Sequence, residues 1–133
     1  MLKVLFVCGG NTCRSPMAQA LASRLLGDSA FVDSAGVDAD TGAPANPKAK
    51  VVMKECGLDI GQHRSKDVED LDLGTFNLIV AMEPRIARLL TSKYSVEPAK
   101  LRELNVKDPF WEGLEVYRQC AQKLQAVLPA VLR

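Results

Sequence analysis

With 133 residues, 47% of them hydrophobic, the chain has the size of one domain able to bury a core, and a single domain over residues 1–133 is expected. A net charge of +1 with both signs interspersed excludes a nucleic-acid-binding field and a polybasic membrane surface, so anion recognition must be local. Four cysteines without framework spacing, no apolar leader before the first strand and no apolar run near roughly 18 residues predict a cytoplasmic chain with no membrane partner.

Val4, Leu5, Phe6 and Val7 form an unbroken apolar run, the pattern of a parallel strand covered on both faces. Gly9 and Gly10 then allow a tight loop, and Asn11 tolerates the left-handed region. Pro16 suits the first turn of a helix predicted over 15–26, with Met17, Ala20, Leu21 and Leu25 on one face. Such a loop turns its backbone N–H groups inward and the helix N-terminus adds positive charge, so the expected guest is an anion. Cys8 ends the strand where the helix dipole, the loop amides and Arg14 all favour a thiolate, the nucleophilic form. Arg14 follows after five residues, and its planar fork suits two phosphoryl oxygens at once.

Phe31 and Val32 predict a short second strand, followed by a loop over 34–47 that an α/β fold carries to the rim of the site. Pro47 opens a second helix through about Cys56, which is placed in the core, and Gly57 ends it. Leu58 and Ile60 are expected in a short extended stretch, and a brief helix near 68–71. The run FNLIVA over 76–81 is a second buried strand, and Pro84 starts another helix, beside which Glu83 and Arg85 are taken as solvated charges. A last strand is predicted over 100–104, then a turn through Asn105 to Pro109. In the closing helix Leu114, Tyr117, Ala121, Leu124 and Leu128 form one stripe, with Cys120 packed rather than reactive. His63, the sole histidine, has no neighbouring ligand pattern for a metal, and Asp108-Pro109 is by composition only a turn signal.

The stretch from Cys8 to Pro16 resembles the signature loop of the low-molecular-weight protein tyrosine phosphatases, C-x-G-N-x-C-R-S-P. Cys8, Gly10, Asn11, Cys13, Arg14, Ser15 and Pro16 fill every fixed position. The likeness extends to Asp33-Ser34-Ala35-Gly36, His63 and Asp108-Pro109, and so spans the chain. It implies a three-layer α/β fold, a four-stranded parallel sheet flanked by helices with the phosphate-binding loop after strand 1. It also implies a two-step phosphatase mechanism with no metal and no cofactor. By resemblance Cys8 is the nucleophile, Asp108 the general acid and Arg14 the clamp on the phosphoryl group. Gly9, Gly10, Asn11, Thr12, Cys13 and Ser15 complete the cradle, and Phe110 and Trp111 are available as a wall of the substrate pocket. Asn11, Ser34 and His63 match a hydrogen-bonded network that holds the loop's shape, and Ser15 matches the serine that bonds the nucleophile. Cys13 matches the partner of Cys8 in a reversible disulfide, which implies redox regulation. A phosphorylated protein is the implied substrate, and the chain is expected to be a monomer or a weak dimer.

Phosphotyrosine is the first expectation for the substrate, on its commonness in the family. The protein arginine phosphatases of the same family carry Thr where the tyrosine enzymes usually carry a bulky aliphatic residue, and Thr12 makes phosphoarginine the alternative. The rim over 37–41 lacks an aromatic residue, while Asp38 and Asp40 suit either a guanidinium or plain solvation. Arsenate reductases share the signature loop but relay electrons through two further cysteines past the middle of the chain, and 82–98 contains none. A phospho-binding module without turnover is a further alternative, against which the presence of both Cys8 and Asp108 argues.

Overall fold

The structure, a computed structural model, describes Met1–Arg133. Strands β1 (Leu2–Cys8), β2 (Ala30–Gly36), β3 (Leu78–Ala81) and β4 (Leu101–Glu103) form one parallel sheet in the order β2-β1-β3-β4. Helices α1 (Arg14–Leu26), α2 (Pro47–Glu55), α3 (Pro84–Tyr94) and α4 (Leu114–Val131) cover it. This is the three-layer α/β arrangement expected from the sequence.

The apolar run of β1 is continuous because its two faces belong to two cores. Val4, Phe6 and Cys8 join Met17, Leu21, Met53, Tyr117 and Leu124 from α1, α2 and α4. Leu5 and Val7 join Ile79, Ala81 and the α3 residues Ile86, Ala87 and Leu90. Burying a side chain such as Leu5 or Phe6 contributes about 1.5–3 kcal/mol, so the strand is anchored from both sides.

Several elements depart from their predicted outlines for physical reasons. β2 is longer than Phe31 and Val32, because Asp33 and Ser34 continue the ladder opposite Leu5 and Phe6, and their polarity hid the strand. Leu58 to Ile60 joins no strand pairing, and Asp59 Oδ1 accepts the Gly61 N–H at 2.7 Å where the turn begins. The buried face of α1 is Met17, Ala18, Leu21 and Ala22, whereas Leu25 is exposed. Cys56 is half-buried against the edge of the larger core rather than inside it, while Cys120 is buried as expected.

The chain runs from β1 through α1 to β2 on one side, then returns past β1 to β3 on the other. The carboxyl end of β1 is therefore the point where strand order reverses, the place where open α/β sheets bind ligands. Backbone bonds hold the loop after β1 against its neighbours: Val37 N to Cys8 O at 3.0 Å, Asp38 N to Gly9 O at 2.9 Å and Asn46 N to Thr12 O at 2.9 Å. At Gly36 a Cβ would overlap the Gly9 carbonyl oxygen and press on the Asn11 N–H, so only glycine lets β2 come this close. No helix is long and apolar enough to cross a membrane.

Candidate active site

The loop from Cys8 to Ser15 is shaped by one buried asparagine. Asn11 adopts φ 59°, the left-handed region that asparagine tolerates, and is fully buried. Lys66 N donates to its Oδ1 at 3.0 Å, which fixes which end of the amide is oxygen. Its Nδ2 then donates to Ser15 Oγ at 2.9 Å and to Ser34 Oγ at 3.0 Å. Because Ser15 Oγ already accepts from Asn11, its own hydrogen is free to point at Cys8 Sγ, 2.9 Å away. Asn11 N also donates to that sulfur at 3.3 Å. Two donors thus converge on the sulfur and fix its position at the floor of the loop.

Ser34 passes the network on, donating to Gln19 Oε1 at 2.6 Å. His63 Nε2 lies 2.7 Å from Asn11 O, and since a carbonyl only accepts, Nε2 carries the hydrogen. Burial pushes the His63 pKa below the usual histidine value; the Asn11 bond opposes this, and the Lys66 charge reinforces it. Asn11, Ser15, Ser34 and His63 are therefore brought together in one hydrogen-bonded group that reaches the Cys8 sulfur through Ser15 Oγ and Asn11 N. A hollow of about 300 Å³ lined by Gln19, Ser23, Asp59, Gln62 and His63 lies beyond, and no cysteine or arginine lines it.

On the open side, Cys8, Gly10, Thr12, Cys13, Arg14, Asp108 and Phe110 line a pocket of about 170 Å³. Asp108 belongs to the loop after β4, where its Oδ1 accepts the Phe110 N–H at 3.0 Å, and its Oδ2 lies 3.6 Å from Arg14 Nη2. Trp111 meets Phe110 edge-on at 4.5 Å but is 89% exposed and does not line the pocket. Asp38 and Asp40 are exposed and do not line it either.

Cys13 Sγ lies 3.4 Å from the Tyr117 hydroxyl, and burial holds its pKa above the ordinary thiol value despite that bond. Burial pushes Cys120 up to about 12, so it is inert at neutral pH. Cys8 and Cys13 are both free thiols.

Glu83 corrects the sequence analysis. Far from being a solvated charge, it accepts from Arg14 Nη1 at 2.7 Å, and Arg85 Nε bonds its other oxygen at 3.0 Å. The available signal was its place just past a buried parallel strand, at the sheet edge where ligand-binding residues gather. Two other contributors went unseen, Gln19 in the serine network and Lys48, whose Nζ donates to Glu112 O at 2.6 Å.

A parallel α/β sheet whose first strand delivers a cysteine, with an arginine in the same loop and an aspartate across the pocket, defines a cysteine-dependent phosphatase. The family described as "Low molecular weight phosphotyrosine protein phosphatase" matches residues 3–133, and the chain belongs to it. A low molecular weight protein tyrosine phosphatase from T. tengcongensis superposes with a TM-score of 0.91 at 38% identity, covering 99% of this chain and 98% of that one. A protein-arginine-phosphatase from Geobacillus stearothermophilus is 33% identical over 135 residues, 95% of this chain and 90% of its own. An arsenate reductase from Staphylococcus aureus is 39% identical over 79 residues, 59% of this chain and 58% of its own.

Proposed function

We propose that the chain is a protein phosphatase that hydrolyses phosphotyrosine through a phosphocysteine intermediate. The observation that carries this is the convergence of Cys8, Arg14 and Asp108 on one pocket, with Phe110 as an apolar wall for a phenyl ring. Cys8 Sγ attacks phosphorus in line, forming the S–P bond as the P–O bond to the tyrosyl oxygen breaks, and Asp108 gives that oxygen its proton. The Asp108 carboxylate then takes a proton from water, whose oxygen attacks phosphorus and releases the thiolate and inorganic phosphate. Arg14 and the loop amides stabilise charge on the equatorial oxygens in both steps.

Phosphoarginine is the alternative substrate, favoured by Thr12. Thr12 lines the pocket, and its hydroxyl, whose side-chain partner is the Cys13 sulfur at 3.8 Å, would accept a guanidinium N–H. The relay of an arsenate reductase has no support here, since α3 and its flanks carry no cysteine. Cys13 is the candidate redox partner: peroxide would oxidise Cys8 to the sulfenic acid, and attack by the Cys13 sulfur would form the disulfide with loss of water.

The first test is turnover of para-nitrophenyl phosphate by the parent and by Cys8→Ser. The parent should turn over while Cys8→Ser binds inorganic phosphate without turnover; an active Cys8→Ser would overturn the mechanism. Matched phosphotyrosine and phosphoarginine peptides then decide the substrate by their kcat/KM ratio.

A further inference from the structure

Glu83 sits at the sheet's carboxyl edge, beside the strand that ends in Cys8. Met82 N prolongs the β3 pairing by donating to Val7 O at 2.9 Å, and Glu83 follows as the residue just before α3. Its side chain does not cap that helix. Both carboxylate oxygens are occupied, Oε2 by Arg14 Nη1 at 2.7 Å and Oε1 by Arg85 Nε at 3.0 Å. Arg14 Nη1 also donates to Val106 O at 3.1 Å. An Nη group carries two hydrogens, so Nη1 is saturated and has none left for a phosphoryl oxygen. Fixing one corner of a planar guanidinium along two directions fixes the plane, and leaves Nε and Nη2 as the donors for an anion.

The placement is poor for simple anion capture, because a carboxylate beside Arg14 cancels part of the charge that attracts phosphate. The Arg14 side chain is 4% exposed and that of Glu83 24%, so the pair is too sheltered to be dismissed as a screened surface contact. What Glu83 supplies is direction. We infer that Glu83 is a positioning residue for phosphoryl transfer, holding the Arg14 fork so that Nε and Nη2 meet the equatorial oxygens of the transferring group. Arg85, more exposed, steadies Glu83 from outside.

This rests on the phosphatase activity proposed above, and the deciding experiment separates the two. Equilibrium binding of inorganic phosphate and of vanadate, which adopts the trigonal-bipyramidal shape of the transition state, is measured for the parent, Glu83→Gln and Glu83→Asp, alongside kcat and KM on para-nitrophenyl phosphate. Glu83→Gln keeps size and an acceptor but loses the charge. It should leave phosphate affinity within about threefold of the parent, or tighten it, while the preference for vanadate over phosphate falls at least about tenfold. Its kcat should fall by at least about tenfold as well, with Glu83→Asp recovering part of both losses. In an Arg14→Lys background Glu83→Gln should have no further effect on kcat, because the fork it orients is gone.

An unchanged vanadate preference in Glu83→Gln, or equal weakening of both anions, would overturn the proposal. So would a full additional loss in the Arg14→Lys background. Binding does not depend on turnover: a parent that fails to hydrolyse the ester while Glu83→Gln loses the vanadate preference removes the phosphatase reading, and with it phosphoryl transfer, and leaves Glu83 only as the residue that orients Arg14 toward a bound oxyanion.

Discussion

Asn11 concentrates more of the site's structure than any other side chain. Its amide makes three hydrogen bonds, two of them buried, to Ser15 Oγ and Ser34 Oγ, and a part-buried one from Lys66 N, while its backbone occupies the left-handed region. Asn11→Ala removes all three and puts an alanine at positive φ. Each buried group left unpaired costs about 1–3 kcal/mol and the backbone roughly 1–2 kcal/mol more, so denaturant unfolding should show a loss of several kcal/mol. Thr12 tests a different property. Thr12→Ile removes the hydroxyl from the pocket wall, and the kcat/KM ratio of phosphoarginine to phosphotyrosine peptides should fall at least about tenfold, the effect of losing one polar contact in a desolvated pocket. An unmoved ratio would remove the main support for phosphoarginine. Cys8, Asn11 and Arg14 were legible in the sequence because a single loop brings them together within seven positions of one another. Glu83 was not, because its partner Arg14 lies 69 positions away and only the pairing of β1 with β3 brings the two together.

Between α2 and the loop after β4 runs a tether that no local pattern announces. Asn46 accepts the Lys48 N–H at 2.9 Å and so fixes the start of α2, and its own N–H bonds Thr12 O. Lys48 Nζ then reaches Glu112 O at 2.6 Å, so the first turn of α2 holds both the loop after β1 and the loop carrying Asp108. That second loop needs holding: Trp111 sits at φ 75°, a conformation disfavoured for a bulky residue, and the turn is closed by Glu112 N on Pro109 O at 2.9 Å. Lys48→Met keeps an unbranched side chain of similar length but loses the donor, together with the ammonium that lies 6.0 Å from the Tyr117 ring centroid. On para-nitrophenyl phosphate its kcat should fall about three- to tenfold with KM little changed, since Asp108, the proposed acid, would be misplaced while the loop after β1 stays intact. Equal kcat in the variant would show that the tether does not position Asp108. The helices themselves were legible from their periodic apolar residues and from Pro47, Pro84 and Gly57. β2 was half-legible, because Asp33, Ser34 and Gly36 serve the site and break the apolar pattern that marks a strand.

Across the whole molecule, pH couples stability to the site through the single histidine. Burial, with the charges of Lys66 and Arg64, holds the His63 pKa below its ordinary 6.5, while the hydrogen bond to Asn11 O and the charge of Asp33 pull the other way without prevailing. The unfolded chain therefore binds this proton more readily than the folded one. His63 contributes full stability above about 6.5 and loses it as pH falls through the folded value, following the linkage between proton uptake and unfolding. Glu83 and Glu55 are held below the usual 4.5 for glutamate, so their contributions disappear only at lower pH and do not confuse this window. His63→Gln keeps an N–H donor for Asn11 O but cannot titrate. Between about pH 7.5 and 5 the Tm of the parent should drop more steeply than that of His63→Gln, so that the gap between them narrows or reverses. Activity should follow, because the Asn11 carbonyl that His63 holds belongs to the same residue whose amide orients Ser15 toward Cys8. Parallel Tm profiles for the two proteins over that range would show that His63 is not held neutral by its burial, and the link from acid pH to the phosphate loop would fall with it.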